Sequence, residues 1–146
     1  MVEKTVLVVD GQGGRIGRLL IEKMKALDLP IKIIAVGTNS IATAGMIKGG
    51  AENAATGENP VVAACRYADV IMGPLGIVVA DALLGEVTPA MAEAIGKSRA
   101  RKILVPMNKC DIQVAGVSPM PIGDVVEEAV RLLQKYFDGQ ECEKNF

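Results

Sequence analysis

Histidine is absent from this chain. That single gap excludes Ser-His-Asp and Cys-His catalysis, histidine-ligated zinc and imidazole acid–base chemistry. Tryptophan is absent too, and two Tyr and two Phe make up the whole aromatic complement. There is no platform for stacking single-stranded bases and little with which to sandwich a flavin. The three cysteines, Cys65, Cys110 and Cys142, lie far apart and form no C-x-x-C pair. With no secretory signal at the N-terminus, a reducing, cytoplasmic setting is expected. The longest apolar run, Leu75 to Leu84, contains Asp81 and is about half the span a bilayer requires, so no transmembrane helix is expected. Neither sign of charge dominates: sixteen Lys and Arg face seventeen Asp and Glu, scattered along the chain. Nucleic acid is therefore not an expected partner.

What is present is an α/β pattern. At 146 residues the chain is expected to form one domain, residues 1–137, followed by a polar tail from Asp138 to Phe146. Strand signals at Thr5–Val9, Ile31–Val36, Asp69–Gly73 and Lys102–Pro106 alternate with helical periodicity. A brief strand is expected around Ala51–Ala55. Helices are expected from Ile16 to Leu27, from Ile41 to Lys48, from an Asn59 cap with Pro60 in the first position to Tyr67, from Thr88-Pro89 to Gly96, and from Pro121 to Phe137. On the last of these, Glu127 and Arg131 are spaced to pair. Leu75–Gly85 is ambiguous between buried helix and strand. The fold class that follows is a single Rossmann-like α/β domain with a mostly parallel four- or five-stranded sheet and helices on both faces.

The informative segment is Asp10-Gly11-Gln12-Gly13-Gly14-Arg15-Ile16-Gly17, lodged between the first strand and the first helix. That order aims free backbone N–H groups at an anion. The register G-x-x-G-x-x-G falls on Gly11, Gly14 and Gly17. It assigns Gly11 to the tight exit from the strand, Gly14 to close approach of a pyrophosphate and Gly17 to helix packing, with Ile16 as a core anchor. Gly11-Gln12-Gly13-Gly14-Arg15-Ile16-Gly17-Arg18 resembles the G-x-x-G-R-M-G-R turn of dihydrodipicolinate reductases and, more loosely, the turn of extended short-chain dehydrogenases. The likeness spans about Val6 to Leu20 and does not extend to the reductases' substrate domain or histidine pair. Over its full length the chain resembles a small uncharacterised bacterial family of single-domain proteins with such a Gly-Gln-Gly-Gly turn. That resemblance implies a Rossmann-like fold and leaves function open.

The expected ligand site comprises Gly11, Gln12, Gly13, Gly14, Arg15, Ile16 and Gly17, with Thr38, Asn39 and Ser40 at the ribose end and Gly73 and Asn108 further along the crevice. The second strand ends in Gly37-Thr38-Asn39-Ser40, with no acid for a ribose diol, so NADP is preferred over NAD. Asp10 stands beside the pyrophosphate position. It must turn away, pair with Arg15 or Arg18, or hold a magnesium ion. Asn108-Lys109-Cys110-Asp111 matches the N-K-x-D guanine signature, yet no G-x-x-x-x-G-K-[ST] accompanies it, which argues against a GTPase. Asp81 and Glu86 read as solvated or capping residues.

No metal cluster is expected. A Tyr-x-x-x-Lys pair is missing, since Ile71 follows Tyr67 and Gln140 follows Tyr136 at that spacing. A nucleotide-binding domain that senses a ligand or regulates a partner is thus preferred over a small NADP-dependent oxidoreductase. The remaining alternative is a structural or interaction protein whose turn binds nothing. Half the residues are hydrophobic and the mean hydropathy is +0.32. With the Leu75–Leu84 run, this suggests a homo-oligomer, by default a dimer.

Overall fold

The computed structural model describes residues 2–106 and 111–139. Five strands, β1 (Lys4–Asp10), β2 (Ile31–Gly37), β3 (Asn53–Thr56), β4 (Val70–Pro74) and β5 (Arg101–Val105), form one sheet in the order β3-β2-β1-β4-β5. Every pairing is parallel. Alternate residues of β1 explain the two cores, because successive side chains point to opposite faces. Val6 and Val8 face the core under α1 (Arg15–Lys25), α2 (Ser40–Lys48) and α5 (Ile122–Phe137). Leu7 and Val9 face the other, under α3 (Glu58–Ala64) and α4 (Pro89–Lys97). All four of these residues are buried, as the continuously apolar strand requires of a sheet covered on both sides.

The doubly wound parallel sheet agrees with the sequence expectation in class, layering and strand number. Chain direction across the sheet reverses at β1, whose neighbours are β2 on one side and β4 on the other. A crevice opens at the carboxyl ends of the strands at such a point. Among the described residues no helix is long and apolar enough to cross a membrane.

Three local expectations are corrected. α3 begins at Glu58, after Gly57 in a left-handed conformation (φ 111°), rather than after an Asn59 cap. The ambiguous segment is neither helix nor strand: Leu75–Val78 is a short 3₁₀ turn, and a looped strap follows to Val87. Ile77 and Val87 anchor the ends of that segment in the second core, which gives most of the apolar run a place within the chain. On α5, Arg131 pairs with Glu128 rather than Glu127, because a spacing of three residues brings those groups together as well as four does.

Candidate functional site

The β1–α1 turn lies at the β1/β4 switch and lines a cleft of about 300 Å³. Pro74 at the end of β4, Gly76 in the 3₁₀ turn, Leu83 from the strap and Ile122 from the start of α5 complete the walls. The turn is folded around Asp10. Its carboxylate turns inward, with Oδ1 accepting from the Gly11 amide at 2.8 Å and Oδ2 from the Gly17 amide at 2.7 Å. Gly17 is in the first turn of α1, where backbone donors lack intrahelical acceptors and negative charge is favoured. Asp10 thereby serves as the internal hydrogen-bond acceptor of the helix N-terminus. It pairs with neither arginine: Arg18 bonds to Glu22 at 2.9 Å, and among the described residues Arg15 has no ion-pair partner. Each Asp10 oxygen accepts from an amide, and among the described residues no group of three or more Cys, Asp or Glu gathers that could hold a metal ion. Burial pushes its pKa above the usual 3.8, against the pull of the Gly17, Gly11 and Ile16 amides, and the nearby Glu86 charge adds to the rise.

Gly11 follows the last residue of β1 and Gly17 lets α1 pack closely, as expected, whereas Gly14 has a different part. Gly14 adopts φ +71°, and a Cβ there would lie 2.6 Å from the carbonyl oxygen of Ala42. Its bareness lets α2 approach the turn and makes no room for a ligand. Gly17 packs against Met46 of α2, and Gly11 lies against Thr38, Leu83 and Glu86. Gly13 is the exposed one, with open space where its Cβ would be. Among the described residues the amides of Gly13 and Arg15 have no hydrogen-bond partner, and both residues line the cleft. Ile16 is buried in the first core, as an anchor should be.

Sequence reasoning missed Glu86, which it treated as a solvated or capping residue. Oε1 of Glu86 accepts from the Gln12 amide at 2.9 Å, the Thr38 hydroxyl at 2.8 Å and Asn39 Nδ2 at 2.5 Å. An acid therefore does stand at the end of β2, supplied by the strap before α4 from 48 positions beyond Thr38. Burial would raise its pKa, but these three donors outweigh it and hold the carboxyl below the usual 4.5. Only the strap's backbone conformation carried a local signal: Asp81, Leu83, Leu84 and Gly85 all have positive φ. The Gly85-Glu86 pair alone does not reveal that.

The other expected residues divide. Asn39 caps α2 by accepting from the Ala42 amide at 2.8 Å and ties Gln12 to the same loop by donating to its carbonyl at 3.0 Å. Ser40 is exposed at the start of α2, away from the cleft lining. Gly73 is buried inside β4, where a Cβ would clash with the Val9 carbonyl oxygen, so it serves strand packing while Pro74 and Gly76 reach the cleft. Asn108, with Lys109 and Cys110, lies outside the described residues. Cys65 is buried, and burial pushes its thiol up to about 11 against the pull of Lys102, so it is not a thiolate nucleophile at neutral pH.

A family model described as a domain of unknown function, DUF3842, matches residues 5–138. The chain belongs to that family. Among the curated proteins, no sequence matches this DUF3842 domain. Its fold is similar to that of a dodecameric FMN-dependent Ubix-like decarboxylase from Escherichia coli O157:H7. That pair has a TM-score of 0.50 and 16% identity over 90% of this chain and 94% of that one. It is also similar to the FMN-dependent cysteine decarboxylase TvaF from thioviridamide biosynthesis, with a TM-score of 0.49 and 11% identity over 90% of this chain and 86% of that one.

Proposed function

We propose that this protein binds a phosphate-bearing ligand of mononucleotide size, with the phosphate on the Gly13 and Arg15 amides and the remainder in the cleft on the β4 side of the turn. The observation that carries this is the pair of amides at the N-terminus of α1 that have no partner among the described residues, on two residues lining a cleft of about 300 Å³. Arg15 adds an exposed cation there. The β2 side of the crevice, where the adenosine of a dinucleotide would be expected, is closed by Leu83 and Glu86 against Gly11. A Glu86 carboxylate on Thr38 and Asn39 also removes the ground for preferring a 2′-phosphate, and with it NADP.

Flavin mononucleotide is the first ligand to test, because it has one phosphate and the similar protein from Escherichia coli O157:H7 is described as FMN-dependent. Aliphatic Leu83, Pro74 and Ile122 would face its ring in place of aromatic residues. The function we infer is binding used for sensing or for regulating a partner. Among the described residues the one carboxylate in the cleft lining is Asp10, whose oxygens accept from backbone amides.

The deciding experiment is a thermal-shift panel of FMN, AMP, NADP, NAD, ATP, GTP and FAD. A ligand at 100 times its dissociation constant stabilises by about 2.7 kcal/mol. We expect a mononucleotide to raise the midpoint of the wild-type protein and Gly13→Ala to reduce the shift. Silence across the panel at millimolar ligand would leave the turn as a purely structural element.

The same proposal includes self-association. Most of the Leu75–Leu84 run is packed within the chain, leaving Leu84 97% exposed at the tip of the strap and Ile41 71% exposed at the start of α2. Light scattering at micromolar concentration is expected to show an oligomer that Leu84→Glu weakens. A 15.3 kDa monomer would end this part of the proposal.

A further inference from the structure

We propose that Glu86 is an internal competitor: its carboxylate fills a second anion subsite, which a ligand carrying two linked phosphates occupies when the tip of the strap, Leu83 to Glu86, lifts away from its base at Asp81 and Val87. The inference rests on the phosphate site proposed above and extends it to a larger class of ligand.

The first observation is convergence. Three donors from two different loops, the Gln12 amide, the Thr38 hydroxyl and Asn39 Nδ2, meet at one oxygen atom. Such a cluster is what a phosphate oxygen needs, and charge-assisted bonds of this kind are the strong ones. Asn39 is held ready by two further bonds, to the Gln12 carbonyl and from the Ala42 amide, so departure of Glu86 leaves its remaining N–H aimed at the vacated point. Gln12, itself at φ 49°, adjoins Gly13, so the subsite borders the one already proposed.

The second observation is the strap's construction. Its base is closed by Asp81 N–H to the Val87 carbonyl at 2.7 Å and Val87 N–H to the Ala82 carbonyl at 3.1 Å. The tip between them contains Leu83 and Leu84 at φ 57° and 58°, a conformation disfavoured for residues with a branched side chain. Strained backbone persists where the surroundings hold it in place, and clamps and switches are where it gathers. The tip is held by Glu86 and by Leu83, whose Cδ1 would lie 2.8 Å from a Cβ at Gly11. Within a single chain Leu84 packs against little, being 97% exposed. A short tip with a closed base that packs through Ala82, and with unfavourable φ values beyond it, is a part that can move as a unit.

The test compares AMP with ADP, which differ by one phosphate, in wild-type protein, Glu86→Ala, Glu86→Gln and Leu84→Gly. Binding is measured by calorimetry and strap opening by amide hydrogen exchange at Gln12 and across 82–87. Glu86→Ala is expected to tighten ADP by about tenfold or more, on the order of one lost charge-assisted contact, and to leave AMP within about threefold. Glu86→Gln should fall between, and both variants should exchange the Gln12 amide faster without ligand. Leu84→Gly relaxes the closed tip, so it should weaken ADP and spare AMP. Weaker ADP binding in Glu86→Ala would overturn the proposal by making Glu86 a ligand contact. Unchanged ADP binding despite faster exchange would overturn it by showing that the vacated point takes no phosphate. In both results intact AMP binding leaves the first site standing, whereas loss of AMP and FMN binding in every protein removes that site and this inference together.

Discussion

The Glu86 carboxylate accepts from the Gln12 amide at 2.9 Å across 74 positions of chain, joining the strap to the glycine turn. Because its donors hold the Glu86 pKa below 4.5, the link stabilises the protein fully above that pH and is lost as pH falls through the lower, folded value. Protease sensitivity of residues 79–87 should therefore rise on acidification below pH 4.5, ahead of global unfolding. Glu86→Gln should be sensitive already at neutral pH and show no such step.

Asp10 has the opposite sign. Its folded pKa is raised above 3.8 by burial, so its contribution is fully present below 3.8 and declines as pH rises through the folded value. Asp10→Asn should flatten that part of the stability–pH curve, measured by urea unfolding at a series of pH values. Asp10→Ala leaves the Gly11 and Gly17 amides without acceptors and should cost about 2–3 kcal/mol, more than Asp10→Asn, which keeps one oxygen.

Gly13 and Gly14 should separate binding from stability. Gly14→Ala places a methyl group 2.6 Å from the Ala42 carbonyl oxygen in a left-handed residue. It should cost about 2 kcal/mol or more, from both the backbone conformation and the clash. Gly13→Ala meets nothing within 4 Å and should change stability by less than about 1 kcal/mol while weakening ligand binding. Parallel denaturation and titration experiments check both halves.

Gly11→Ala should lift the strap. Its Cβ would approach Thr38 Oγ1 at 2.7 Å and Leu83 Cδ1 at 2.8 Å. Both are side-chain atoms able to shift, so folding should survive while the Gln12 amide exchanges faster than in the wild type. Equal exchange rates would show that Leu83 does not hold the tip closed.

The sheet was legible because the signal of a parallel strand is local: the β-branched residues of Thr5–Val9 and Ile31–Val36 announce burial on both faces. The glycine turn was legible for the same reason, as a fixed sequence between strand and helix. The partners of its residues were not. Gly14 is bare because of Ala42 and Gly11 because of Leu83, Thr38 and Glu86, contacts made across the fold that no spacing rule encodes. Glu86 escaped notice because its role depends on a strap whose Leu83 and Leu84 take φ values that leucine ordinarily avoids. The Thr88-Pro89 start of α4 was readable, with Thr88 Oγ1 accepting from the Met91 amide, because a cap is satisfied within four residues.

Since Asp10 supplies the turn's own acceptor, the loop reaches its final shape without a visitor. Little ordering entropy is then due at encounter, and a single-phosphate ligand should associate at a rate limited by diffusion and orientation. A two-phosphate ligand should instead wait for the strap, so its association rate should level off with concentration at the opening rate while its rival's keeps climbing. Stopped-flow traces of the two would thus differ in form, and not merely in speed.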